Sequence, residues 1–222
     1  MRLRDALFAE FLGTLLLVLV TLGSDIAAAR AAAADEYRVL AVNALATGFG
    51  ISALILSLNP VSGACFNPLA VVVQCLDKEL RWRTVPAYLL CQFGGALLGV
   101  LLVHYLFGLP VLEISSHARP GLPMYLSEFV GATGLLLVIH RVGNTRSQWV
   151  AYAVGAYLVA ATWMLPSNCI ANPALTVARM FTDSFGGIRP VDAAWYVAAQ
   201  ALALAVFAAF IKCHKRFAAL GE

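Results

Sequence analysis

Ser62-Gly63-Ala64-Cys65-Phe66-Asn67-Pro68-Leu69 and Asn168-Cys169-Ile170-Ala171-Asn172-Pro173-Ala174 each place an Asn-Pro pair at the head of a short apolar run. Asn is a favoured helix N-cap and Pro a favoured first helical residue, so each pair predicts a helix start. The runs behind them, Leu69 to Leu76 and Ala174 to Phe181, fall well short of the roughly 20 apolar residues that cross a bilayer. They are therefore predicted to be re-entrant half-helices. Irregular backbone at membrane depth survives only when buried in protein or lining a watery cavity, so two such segments imply a lumen between them.

The rest of the chain supplies the membrane context. Of 222 residues 61% are hydrophobic and 12% charged, a balance outside that of soluble domains. Leu7 to Gly23, Val39 to Leu58, Val85 to Phe107, Met124 to His140, Trp149 to Leu165 and Val191 to Ile211 read as spans. The fold class expected is an all-α membrane protein with six transmembrane helices and two half-helices. Met-Arg-Leu-Arg at the start has the charge of a signal peptide, but no small-residue cleavage site follows, so the first span is expected to stay. With the N-terminus inside, cytoplasmic segments hold Arg2, Arg4, Lys78, Arg81, Arg83, Arg141, Arg146, Lys212, Lys215 and Arg216, against Arg30, Arg38, Arg119, Arg179 and Arg189 outside. This bias puts both termini in the cytoplasm. It accounts for the +3 charge without nucleic acid, and the basic tail Lys212 to Arg216 suits anionic lipid. Five cysteines and four histidines show no metal-ligand spacing, so neither metal nor cofactor is expected, nor a disulfide framework. Asn59-Pro60 reads as a turn closing the second span. The Gly94-Gly95-Ala96 and Gly99 run reads as close helix packing.

The two halves echo one another. Ala9-Glu10-Phe11-Leu12-Gly13 matches Ser127-Glu128-Phe129-Val130-Gly131, Gln92 matches Gln200, and the Asn-Pro pairs match. Three spans per half require the second copy to insert upside down. A single channel domain over residues 1–222 follows, with repeats at about 1–110 and 120–216. The half-helices would then meet N-terminus to N-terminus, each carrying roughly half a positive charge, which repels cations. If each Asn oxygen caps its own helix, its NH2 is expected to donate into the lumen. Glu10 and Glu128, the acids placed within spans, are read as structural carboxylates accepting backbone N–H groups of the irregular loops. The competing reading is a proton relay.

These motifs together resemble the aquaporin and aquaglyceroporin (major intrinsic protein) family over essentially the whole chain. The resemblance implies a homotetramer with one pore per subunit, passive conduction of water or small neutral solutes, and carbonyls of residues 63–66 and 168–171 lining the pore. Asn67, Pro68, Leu69, Asn172, Pro173 and Ala174 are its paired motifs, with Leu69 where Ala is usual and Cys65 where His is usual. The family's selectivity Arg follows the second motif, and Leu175 stands there instead. The remaining filter positions, by ungapped spacing, are Thr47, Ala160 and Cys169; a two-residue shift would put Phe49 in place of Thr47. Arg179 is expected at the outer mouth, paired with Asp183.

A filter of Thr, Ala, Cys and Leu is wider and more apolar than a water-specific one. The expected cargo is therefore a small neutral, glycerol-like polyol, with water. The style of Ala46-Thr47-Gly48 and Asn172-Pro173-Ala174-Leu175-Thr176 resembles bacterial family members associated with arsenic resistance, which implies arsenous acid or related neutral arsenicals as cargo and a bacterial inner (plasma) membrane. Cys169 is expected to confer mercurial block. The alternatives are a water-selective channel and an ion-coupled secondary transporter using Glu10 or Glu128. A structural role in adhesion has little loop surface to act through, and no nucleophile–base pair suggests an enzyme.

Overall fold

The computed structural model describes residues 2–31 and 35–220, with side chains through residue 213. Lys215 and Arg216 of the basic tail thus lie beyond the described side chains. Among the described residues there are eight α-helices and no strand: α1 (Leu3–Ala31), α2 (Glu36–Ser62), α3 (Pro68–Leu76), α4 (Val85–Phe107), α5 (Leu122–Thr145), α6 (Val150–Met164), α7 (Pro173–Ala178) and α8 (Pro190–Leu220).

Local chemistry sets the ends. Asp35 caps α2 by accepting the N–H groups of Tyr37 and Arg38 at 3.1 and 3.2 Å. Gly63 closes α2 with φ of 85°, its N–H donating to the Asn59 carbonyl. The Asn59-Pro60 pair is accordingly helical rather than a turn, because a proline in the last turn removes one hydrogen bond without ending the helix. Asp5 in the first turn of α1 and Arg30 in the last complement its dipole. This helix continues past the expected end at Gly23 because Ala-rich sequence favours it and because the charge of Asp25 is met by Arg179, 3.7 Å away.

Among the described residues five helices, α1, α2, α4, α5 and α8, are long and apolar enough to cross a membrane. The span expected at Trp149 to Leu165 is the shorter α6, 15 residues preceded by the 3-10 turn Ser147–Trp149. Helix and turn together reach about 28 Å, close to the thickness of a bilayer's hydrocarbon core.

In each half the first helix packs on the second and last, α1 on α2 and α4, α5 on α6 and α8; α2 against α6 joins the halves. Small residues permit the close crossings. A Cβ on Gly95 would lie 2.2 Å from the Phe11 carbonyl oxygen, and one on Gly99 2.8 Å from Val18 Cβ, so the small-residue run of α4 serves its contact with α1. Phe8, Phe49, Leu90 and Phe210 project outward, while Tyr37, Trp82, Tyr105, Trp149, Trp163 and Trp195 are exposed near helix ends. An apolar outside with aromatic rings at its margins is the surface that lipid selects.

Candidate pore and its lining

The segments before α3 and α7 owe their shape to left-handed residues that are not glycine. Ala64 and Phe66 have φ of 46° and 47°; Cys169 and Ala171 have 50° and 46°. Each such residue costs on the order of 1–3 kcal/mol unless its surroundings fix it. Here the fixing group is a carboxylate. Glu10 Oε1 accepts from Ser62 Oγ at 2.7 Å and Cys65 N–H at 2.9 Å, and Oε2 from Phe66 N–H at 2.8 Å and Gln92 Nε2 at 2.7 Å. In the second half Glu128 accepts from the N–H groups of Ile170 and Ala171, both at 2.9 Å, and from Gln200 Nε2 at 2.6 Å. Both glutamates are fully buried. Their partners are amides and a hydroxyl, with no second acid or histidine among them to pass a proton onward.

The segments also press on the helices that hold them. A Cβ on Gly13 would sit 2.0 Å from the Phe66 ring, and one on Gly131 2.5 Å from Cys169 Sγ. Phe66 is wholly buried and cannot yield. Gly13→Ala is expected to lower stability by about 1–3 kcal/mol through overpacking, measured as earlier thermal unfolding of the detergent-solubilised protein.

Asn67 Oδ1 caps α3 by accepting Leu69 N–H at 2.9 Å, and Asn172 Oδ1 caps α7 by accepting Ala174 N–H at 3.0 Å. The amide groups are less free than the sequence suggests. Asn67 Nδ2 donates to the Ala171 carbonyl and Asn172 Nδ2 to the Phe66 carbonyl, both at 2.9 Å. One N–H of each amide therefore ties the two half-helix starts together, and only the other remains for the lumen. Leu69 is buried in the apolar core and is absent from the pore wall.

One cavity follows this axis, lined near one mouth by Asp77, Asn144 and Ser147 and near the other by Asp25, Arg119 and Arg179. Between them α2 contributes Asn43, Thr47, Ile51 and Ile55, and α6 contributes Val150, Val154, Leu158 and Thr162. These spacings of four residues each follow one helical face. The opposite wall is made by the irregular peptide segments Gly63 to Phe66 and Asn168 to Ile170.

Thr47, Cys169 and Leu175 lie in the wall, and Phe49 points away, 72% exposed. Ala160 does not belong to the wall: it is exposed on the outer face of α6, and Leu158 and Thr162 face the cavity. A two-residue error turns a helical position by about 200°. Cys169 reaches the cavity, but its Sγ packs towards α5 at Gly131, so a mercurial meets a thiol held in the wall rather than offered to the lumen. Arg179 turns to Asp25, not to Asp183. Because α7 stops at Ala178 and a 3-10 turn follows, the i,i+4 alignment is lost. Asp183 instead accepts the N–H of Ser116 at 2.7 Å and its hydroxyl at 2.9 Å, which hold its carboxyl below the usual range. Acids within helices also extend beyond Glu10 and Glu128, since Asp25 and Asp192 are buried too. An Asp in the outer turns of an apolar segment was the signal in the sequence.

Among the described residues no cluster of three His, Cys, Asp or Glu could hold a metal ion.

Crossing helices around two half-helices that meet head to head beside a continuous cavity define a membrane channel. The chain belongs to the major intrinsic protein family, whose model matches residues 1–142. It is 42% identical over 194 residues to the aquaglyceroporin AqpS of Rhizobium meliloti, covering 87% of this chain and 83% of that one. It is 29% identical over 172 residues to a glycerol uptake facilitator protein of Streptococcus pneumoniae, covering 70% and 72%. The X-ray structure of the aquaglyceroporin from Plasmodium falciparum superposes with a TM-score of 0.72 at 21% identity, covering 94% of this chain and 95% of that one.

Proposed function

We propose that the chain is a passive channel for small neutral solutes, glycerol-like polyols and arsenous acid or related arsenicals among them, and for water. The observation that carries this reading is that Thr47 and Leu175 both line the cavity, Leu175 standing where the family's selectivity Arg was expected. A compact hydroxyl-rich solute can lay its carbon face on Leu158 and Val154 while its oxygens exchange hydrogen bonds with the peptide wall and the two remaining Asn N–H groups. The names of the bacterial relatives, an aquaglyceroporin and a glycerol uptake facilitator protein, support the same class. No enzymatic step is part of this reading.

In the same proposal residues 1–222 form one channel unit of two inverted repeats, assembled as a homotetramer in lipid. The Lys and Arg bias supports cytoplasmic termini, and the bacterial relatives support an inner (plasma) membrane. Stopped-flow light scattering of proteoliposomes tests the cargo: inward glycerol or arsenous acid gradients are expected to give reswelling well above that of empty liposomes. Fast water flux with no reswelling for either solute would return the chain to the water-selective class.

A further inference from the structure

The cavity carries a charged pair at one mouth that lies outside the family motifs. Arg179 follows Leu175 by one helical turn, about 6 Å along the axis, and both Arg179 and Asp25 line the cavity. Their side chains are 11% and 5% exposed, with Arg179 Nη1 3.7 Å from Asp25 Oδ2. That distance is beyond hydrogen bonding, so charge rather than a hydrogen bond joins the two. Arg179 Nη1 is anchored on the Gly186 carbonyl at 2.9 Å, but its Nε is buried with no partner. The backbone closes tightly on the pair, since a Cβ on Gly186 would lie 2.4 Å from Asp25 Oδ2. Arg119 braces the same loop through the carbonyls of Phe185 and Gly187.

We propose that Arg179 and Asp25 form a charge-paired hydroxyl-recognition station that takes over, one turn farther out, the role of the cation missing at Leu175. A solute hydroxyl donates to the Asp25 carboxylate while the same or a neighbouring oxygen accepts from Arg179, so a neutral polyol or oxyacid bridges the pair. Arg119 lines the same mouth, so the carboxylate stands among two cations and offers little to a passing cation. The station rests on the channel reading and names two residues that select its cargo.

The test uses the full chain in proteoliposomes, measuring glycerol reswelling and Na+ entry for wild type, Arg179→Gln, Asp25→Asn and the double variant. Arg179→Gln and Asp25→Asn are each expected to slow glycerol several-fold with Na+ entry at background, because Arg119 still faces the mouth. The double variant should be no slower than either single variant, since either loss breaks the same bridge. If Arg179→Gln fails to fold, the isosteric Asp25→Asn decides: glycerol rates within twofold of wild type overturn the station. Folded single variants with wild-type glycerol rates overturn it equally, leaving the channel reading intact. A wild-type protein that passes no glycerol overturns both.

Discussion

Leu175→Arg is expected to lower glycerol permeability at least about tenfold, which corresponds to a barrier raised by about 1.4 kcal/mol. Leu175 is 6% exposed and lies in the pore wall, so a longer side chain can lengthen only into the lumen or into packed neighbours. A guanidinium there narrows the bore and holds water firmly against the peptide wall, and the solute must displace that water. Water permeability should fall far less, because a single file of water needs neither the width nor the apolar face. Leu175→Phe separates the two effects, reducing width without charge. Stopped-flow reswelling with both variants reads the outcome, and unchanged glycerol flux through a folded Leu175→Arg protein would place the constriction elsewhere.

The second large effect is expected at Glu10. Glu10→Ala strips the acceptor from two backbone N–H groups, those of Cys65 and Phe66, as well as from Ser62 and Gln92. Each orphaned buried donor costs about 1–3 kcal/mol, so the two peptide groups alone come to on the order of 2–6 kcal/mol, a large share of ordinary folding stability. The variant should be recovered largely unfolded or aggregated, while Ser62→Ala, which removes one donor to Glu10 and orphans the Ala64 N–H, should cost less, about 1–3 kcal/mol. Thermal unfolding in detergent, with the folded fraction by size exclusion, measures both. A Glu10→Gln protein that stayed as stable as wild type and lost gradient-driven accumulation of solute would instead make Glu10 a coupling residue.

Local signals carried much of this architecture into the sequence. The caps at Asn67 and Asn172, the prolines behind them and the matched glutamates all act within a few residues of themselves or through a repeated pattern, so spacing alone exposed them. What escaped was set by register and by distant partners. Ala160 was assigned by counting back from Asn172, and nothing local states how many residues the irregular segment after Met164 consumes. The first span was expected to end at Gly23, two residues before Asp25, whose partner Arg179 lies in the other half of the chain. Arg179 and Asp183 looked like a helical pair until the helix proved to stop at Ala178. The free amide expected of each Asn failed for a related reason, since the opposite carbonyl comes within reach only when both halves are folded.

That last arrangement bears on how the protein is made. The bonds from Asn67 to Ala171 and from Asn172 to Phe66 join residues 104 and 106 positions apart. At roughly 5–20 residues per second the ribosome needs on the order of 5–20 s to deliver the second partner after the first. Throughout that interval the first half has its glutamate and its half-helix but an unanswered carbonyl and amide at membrane depth, each of them costly away from water. The nascent first half therefore cannot reach its final form alone. Its completion waits on the arrival of the second, from Ala171 and Asn172 onward.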